Sequence, residues 1–228
     1  DPSHSKTIVN GISRIGHMSG GNAARWVDED MAETFADKAV AFIEQNRERP
    51  FFLFFSPHDI HEPMVPNARF KGTSGCGSRG DVIHQLDWAA GRVLDALDRL
   101  DLVENTLILF SSDNGGAIKD TYDDGTNALH ANQPPNGILR GQKGDLYEGG
   151  HRVPLLARWP GHAKPGAETD QLACLVDMMA TFAAAAGAPL PDNAGPDSFN
   201  LLPVLNGTAG KAPVRDHLVL QRYNHTQL

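Results

Sequence analysis

Apolar residues recur along this chain in two rhythms, and the alternation between them predicts its elements. Within 31–47, Phe35, Ala39, Phe42 and Ile43 fall on one side of a 3.6-residue period, which predicts a helix ended by Arg49-Pro50. Residues 81–100 carry the clearest pattern of this kind: Val82, Leu86, Ala89, Ala90, Val93, Leu97 and Leu100. A third helix is expected over 171–186, with Leu172, Leu175, Val176, Met179, Phe182 and Ala183 inward and Gly187 as its stop. Between the helices lie short unbroken apolar runs. Those at 51–55 and 106–110 suit buried strands, as in a parallel sheet, while 153–159 reads as a third strand and 217–223 as a last one. Residues 1–30, 62–80 and 115–145 are polar or rich in glycine and proline, and are expected to be irregular. A loop as long as the last of these is usually functional or disordered. Strands alternating with helices predict an α/β domain with a largely parallel central sheet flanked by helices.

In such sheets ligands bind beyond the carboxyl ends of the strands. Two of the expected strand ends carry polar groups suited to that. The first runs into Ser56-Pro57-His58-Asp59-Ile60-His61-Glu62-Pro63, the second into Ser111-Ser112-Asp113-Asn114-Gly115-Gly116. Asp113 and Asn114 offer adjacent hard oxygen ligands, which suit Ca²⁺ or Mg²⁺; an Asx turn closing a strand would use the same residues. His58 and His61 can bind an anionic oxygen or hand a proton to a leaving group, and can equally be a metal pair or solvated loop residues. Lys143 stands between Gly141 and Gly144. It is either a solvated loop lysine or a cation aimed at developing negative charge. Tyr147-Glu148-Gly149-Gly150 is expected to shape the turn into 153–159, and Arg140 and Arg152 to be salt-bridge partners.

Composition removes some alternatives. Hydrophobic content of 40% and charged content of 21% are ordinary for a globular protein. No apolar run approaches the ~18–20 residues that span a bilayer, and no signal peptide is visible at Asp1-Pro2-Ser3-His4. The net charge of −8, without a lysine or arginine cluster, argues against a general nucleic-acid binder. Cys76 and Cys174 have no metal-ligand spacing and are expected to be free thiols.

Taken in order, the PHxxHxP segment, the long helix, SSDNGG, the glycine-bracketed lysine, YEGGxRVP and RWPG resemble the arylsulfatase-type sulfatases of the alkaline phosphatase superfamily. The resemblance implies a partial alkaline-phosphatase-like sandwich, with 1–228 as the later part of a catalytic domain and about 40–190 bearing its motifs. It implies that Asp113 and Asn114 are calcium ligands, with Mg²⁺ the alternative. It implies that His61 contacts the sulfate and is a candidate acid for the leaving group, and that Lys143 binds the sulfate and bridging oxygen. The substrate would be a sulfated carbohydrate or an aryl sulfate ester. Gly16-His17-Met18-Ser19-Gly20-Gly21 and Asp123-Asp124-Gly125 resemble sulfatases acting on sulfated glycans, and His130 and Asn132 are candidates for substrate contact. An extracytoplasmic location follows by analogy.

The chain also departs from the family pattern. Its nucleophile is a formylglycine made within C/S-x-P/A-x-R, a motif this sequence lacks; Cys76-Gly77-Ser78-Arg79 does not supply it. The aspartate pair completing the calcium shell, the upstream lysine and histidine and the C-terminal subdomain are likewise unmatched. The isolated chain is therefore expected to be inactive, to bind calcium weakly and, through raw sheet edges, to self-associate or be poorly soluble. Two rivals stay open: a phosphate or phosphonate ester hydrolase of the same superfamily, and a non-catalytic remnant that binds sulfated glycans.

Overall fold

A computed structural model describes residues 27–117 and 135–221, together with the backbone of short strands at 8–9, 12–13, 220–222 and 225–227. The chain divides into two compact units, Asp1–Leu102 with Ile118–Pro135, and Val103–Ala117 with Asn136–Leu228. The segments 16–21 and 123–125, and the positions His130 and Asn132, lie outside the described residues.

The first unit is built on two helices. Helix α1 spans Met31–Asn46 and α2 spans Gly77–Arg99. Ala32, Ala36, Ala39 and Ile43 form the buried seam of α1, and Val82, Ala89, Ala96 and Leu97 that of α2. Spacings of three, four and seven put these residues on one face of each helix. The seams are rich in alanine, so small side chains fill the contact, and Phe35 is left 39% exposed where the apolar pattern placed it inward. At the rim, Arg92 meets Asp37 at 2.9 Å and Arg99 meets Glu44 at 2.6 Å. Exposed pairs of this kind contribute little, ~0–1 kcal/mol each.

Helix α2 begins four residues before the expected start, because the preceding loop is tied into it. Buried Asp81 accepts hydrogen bonds from Gly72 N at 2.7 Å, Ser74 N at 3.0 Å and Ser74 Oγ at 2.7 Å. Burial is the largest single influence on this carboxyl and raises its pKa. The hydrogen bonds, with the charge of His84, outweigh it and leave the pKa below the usual carboxylate value. A depressed folded-state pKa contributes stability that is complete above the ordinary value near 4 and is lost as pH falls through the lower one. Asp81→Asn is accordingly expected to cost about 1.5–3 kcal/mol at neutral pH. The gap from wild type should close below about pH 4. Urea unfolding at a series of pH values measures it; a gap independent of pH would refute the charged-acceptor account.

The second unit holds the strand β3, Ile108–Ser111, paired antiparallel with β4, Leu155–Arg158, from Ile108 opposite Arg158 to Ser111 opposite Leu155. The other ladders among the described residues, β1 (Ile8–Val9) with β2 (Ile12–Ser13) and β5 (Leu220–Arg222) with β6 (His225–Gln227), are also antiparallel. The parallel neighbours expected of the central sheet are not among these pairings. Residues 51–55 form no ladder, and their side chains alternate, with Phe52 66% and Phe54 81% exposed. A continuous apolar run signals two covered faces only where other layers cover them.

Three short helices complete the second unit: α3 (Glu148–His151), α4 (Met178–Ala185) and α5 (Leu202–Leu205). Gly187 ends the α4 segment at φ 64°. The expected inward face does not form. Leu172, Leu175, Val176 and Met179 are exposed, whereas Asp177 and Thr181 are fully buried. Thr181 Oγ1 donates to Asp177 O at 2.7 Å and accepts from Leu201 N at 2.9 Å. A polar network, not an apolar stripe, docks this helix onto the segment around 199–201. Cys76 and Cys174 are free thiols, as expected.

Candidate functional site

In the second unit the three glycine-bearing motifs close on one another backbone to backbone. Gly115 N donates to Gly150 O at 3.0 Å, Gly149 N to Arg140 O at 2.8 Å, and Lys143 N to Gly116 O at 3.2 Å. A Cβ added at Gly115 would collide with Gly149 O. One at Gly149 would collide with Gly141 O and lie 2.7 Å from Arg140 O. Carbonyl oxygens stand where side chains would be, so the segments approach this closely only as glycine. The outcome is that the base of Lys143 is fixed at the end of the Asp113-Asn114 segment. Gly141 and Gly144, at φ 87° and 85°, turn the chain on either side of it.

Asn136 completes the knot. Its Oδ1 accepts from Gly116 N at 2.7 Å, and its Nδ2 donates to Gly116 O at 2.9 Å and Gly141 O at 3.0 Å. It joins the strand end to the lysine loop, a role that Asn136-Gly137, ordinary turn chemistry in the sequence, does not announce. Arg152 pairs with Glu148 at 3.1 Å as expected, whereas Arg140 lies over the Tyr147 ring, 3.7 Å from its centroid.

Asp113 is exposed. Asn114 donates Nδ2 to Gly115 O at 3.0 Å, which leaves Oδ1 as the acceptor for another group. A carboxylate beside a carboxamide oxygen fits part of a hard-cation shell, which takes six to eight oxygens. Among the described residues no group of three or more His, Cys, Asp or Glu could hold a metal ion. Asp113 and Asn114 offer two oxygens, fewer than such a shell takes.

The histidines belong to the first unit. His61 N donates to His58 O at 2.9 Å, closing a turn after the 51–55 run. His61 is exposed, and its Nδ1 lies 2.8 Å from Glu62 O. A carbonyl can only accept, so Nδ1 carries the proton. His58 Nε2 lies 3.4 Å from Pro63 O, and the two rings meet edge to face at 6.2 Å. Behind them, Asp59 Oδ2 accepts from Gln85 Nε2 at 2.9 Å. Burial is the main influence on Asp59 and raises its pKa, against opposing contributions from Gln85 and His58. Gln85 was open to detection in the sequence: it sits on the α2 seam, three residues after Val82 and four before Ala89, as a polar residue among apolar ones.

The sulfatase family model matches residues 4–188. The chain is 44% identical over 223 residues to N-acetylgalactosamine-6-O-sulfatase of Bacteroides thetaiotaomicron, covering 98% of this chain and 43% of that protein. It is 43% identical over 169 residues to human arylsulfatase A, covering 74% of this chain and 31% of that one. A solved structure from the metabolism of multiple glycosaminoglycans by Bacteroides thetaiotaomicron superposes with a TM-score of 0.84 at 46% identity, over 89% of this chain and 42% of the other. The chain therefore spans less than half the length of these relatives.

Proposed function

The chain belongs to the sulfatase family, and on that premise we propose that it carries charge-neutralising and leaving-group residues for the hydrolysis of sulfate esters. The observation that carries this reading is the glycine knot, which anchors Lys143 N on Gly116 O at 3.2 Å, directly after Asp113-Asn114. A lysine whose backbone is anchored next to a segment bearing two hard oxygen donors suits the binding of a small tetrahedral anion whose charge grows during reaction.

The reaction consumes water and splits the ester S–O bond into an alcohol and sulfate. Lys143 binds a sulfate oxygen and offsets the charge that develops as the bond breaks. By resemblance to the family, His61 in its protonated form is the acid that gives a proton to the departing alcohol oxygen, and the water consumed restores that proton. Asp113 and Asn114 Oδ1 are the residues that would hold Ca²⁺, which when bound supplies further positive charge at the sulfate. The family's formylglycine has no matching motif among these residues, so no step is assigned to it and this 228-residue chain alone is expected not to turn over substrate.

The sugar sulfatase named among the relatives supports a sulfated carbohydrate as the substrate class, and the family setting supports an extracytoplasmic location. No described helix is long and apolar enough to cross a membrane. The decisive comparison is turnover of paired sulfate and phosphate esters by the complete protein that contains this chain. Preference for the sulfate is expected. Preference for the phosphate would favour the phosphohydrolase rival, and turnover of neither, with retained glycan binding, the non-catalytic one.

A further inference from the structure

Resting on the sulfate ester hydrolase reading, we propose that Gln85 is a positioning residue for the histidine loop: its buried carboxamide grips Asp59 and Asn67 and so fixes the turn that carries His58 and His61. Gln85 is 1% exposed, among the most buried large side chains described. A leucine would fill such a place on a helix seam without the cost of desolvating an amide. Both ends of that amide are used. The backbone N–H of Asn67 donates to Oε1 at 2.8 Å. A backbone N–H has no accepting role, so Oε1 must face it and Nε2 must face Asp59, whose Oδ2 lies at 2.9 Å.

One side chain on a long helix thus ties down both limbs of the 59–67 loop. Asn67 is itself anchored, with Nδ2 on Glu29 O at 3.1 Å. Inside the loop the histidines are set by the loop's own backbone: His61 N on His58 O, His58 Nε2 at Pro63 O and His61 Nδ1 at Glu62 O. Movement of Asp59 therefore carries both rings with it. The half-buried Asp59 carboxyl, pushed up by burial, would be costly to hold there without Gln85 as donor.

Gln85→Glu separates the two grips. The new carboxylate still accepts from Asn67 N but cannot donate to Asp59, and two carboxylates face each other. Asp59→Asn in the same chain restores a donor between the two positions. In the complete protein, Gln85→Glu is expected to lower kcat/KM for a sulfate ester on the order of 100-fold, mostly in kcat, as for a misplaced catalytic group. It should also shift the His58 and His61 ring resonances in ¹⁵N spectra while leaving His162 unchanged. The double variant should return both readouts toward wild type. Unshifted His58 and His61 resonances in Gln85→Glu, or a folded double variant that restores neither readout, would overturn the proposal. If the wild type turns over no sulfate ester, the functional reading fails, and the histidine spectra still decide the role of Gln85.

Discussion

Lys143→Ala is expected to lower kcat/KM for a sulfate ester by on the order of 10²–10³ in the complete protein, the cost of removing one preplaced charge-stabilising group. The base of this lysine is fixed: its N–H is on Gly116 O at 3.2 Å, and Asn136 binds both Gly116 and Gly141. With the backbone held, only the side chain's own rotamer freedom remains to be lost when the ammonium meets the ester. Lys143→Arg keeps the charge but replaces a compact ammonium with a planar fork, and is expected to recover activity only in part. The side chain is exposed, so the midpoint of thermal unfolding should not move. Steady-state kinetics with a melting curve on the same samples separates the two effects. An alanine variant within twofold of wild type would remove Lys143 from the site.

The second large effect is on stability and lies away from the chemistry. Asp177 is 0% and Arg215 4% exposed. The carboxylate accepts from Arg215 Nη2 at 2.6 Å, Arg215 Nε at 3.2 Å, Cys174 N at 2.8 Å and Phe199 N at 2.9 Å. The guanidinium also donates to Asp197 O at 2.6 Å and His217 O at 2.9 Å, and lies over the Phe199 ring. Three separate segments of the second unit, around 174–177, 197–199 and 215–217, meet at this pair. Arg215→Met fills similar volume but leaves a buried carboxylate without its cation, and is expected to cost about 3–5 kcal/mol. Adding Asp177→Asn removes the stranded charge and should recover part of that. Denaturant unfolding of the single and double variants measures both; an Arg215→Met loss below about 1 kcal/mol would mean that the pair is solvent-relaxed rather than buried.

Much of the candidate site was legible because its chemistry is written in contiguous runs. Asp113-Asn114, the glycine-bracketed Lys143 and Glu148-Gly149-Gly150 each show oxygen donors, a cation or freedom from a Cβ, and the family follows from their order. The α1 and α2 helices were legible for a similar reason, since a 3.6-residue period is local. Where local pattern and burial part company, the sequence misleads. Phe35, Leu175 and Met179 read as core by hydrophobicity and are exposed, while alanines and the polar pair Asp177 and Thr181 are buried.

The sequence by itself determined the α/β class, the two principal helices, strands within 106–110 and 153–159, and the residue types that a sulfate ester site would use. Tertiary structure alone decided which of those residues meet. Asn136 joining Gly116 to Gly141, Gln85 reaching Asp59, and Arg215 closing on Asp177 across 38 residues are contacts between distant segments. A periodic pattern reports only how one segment divides its faces. The partner on each face is set by how backbones approach, and here that approach is governed by glycine, alanine and buried amides, the residues with the least hydrophobic signal to read.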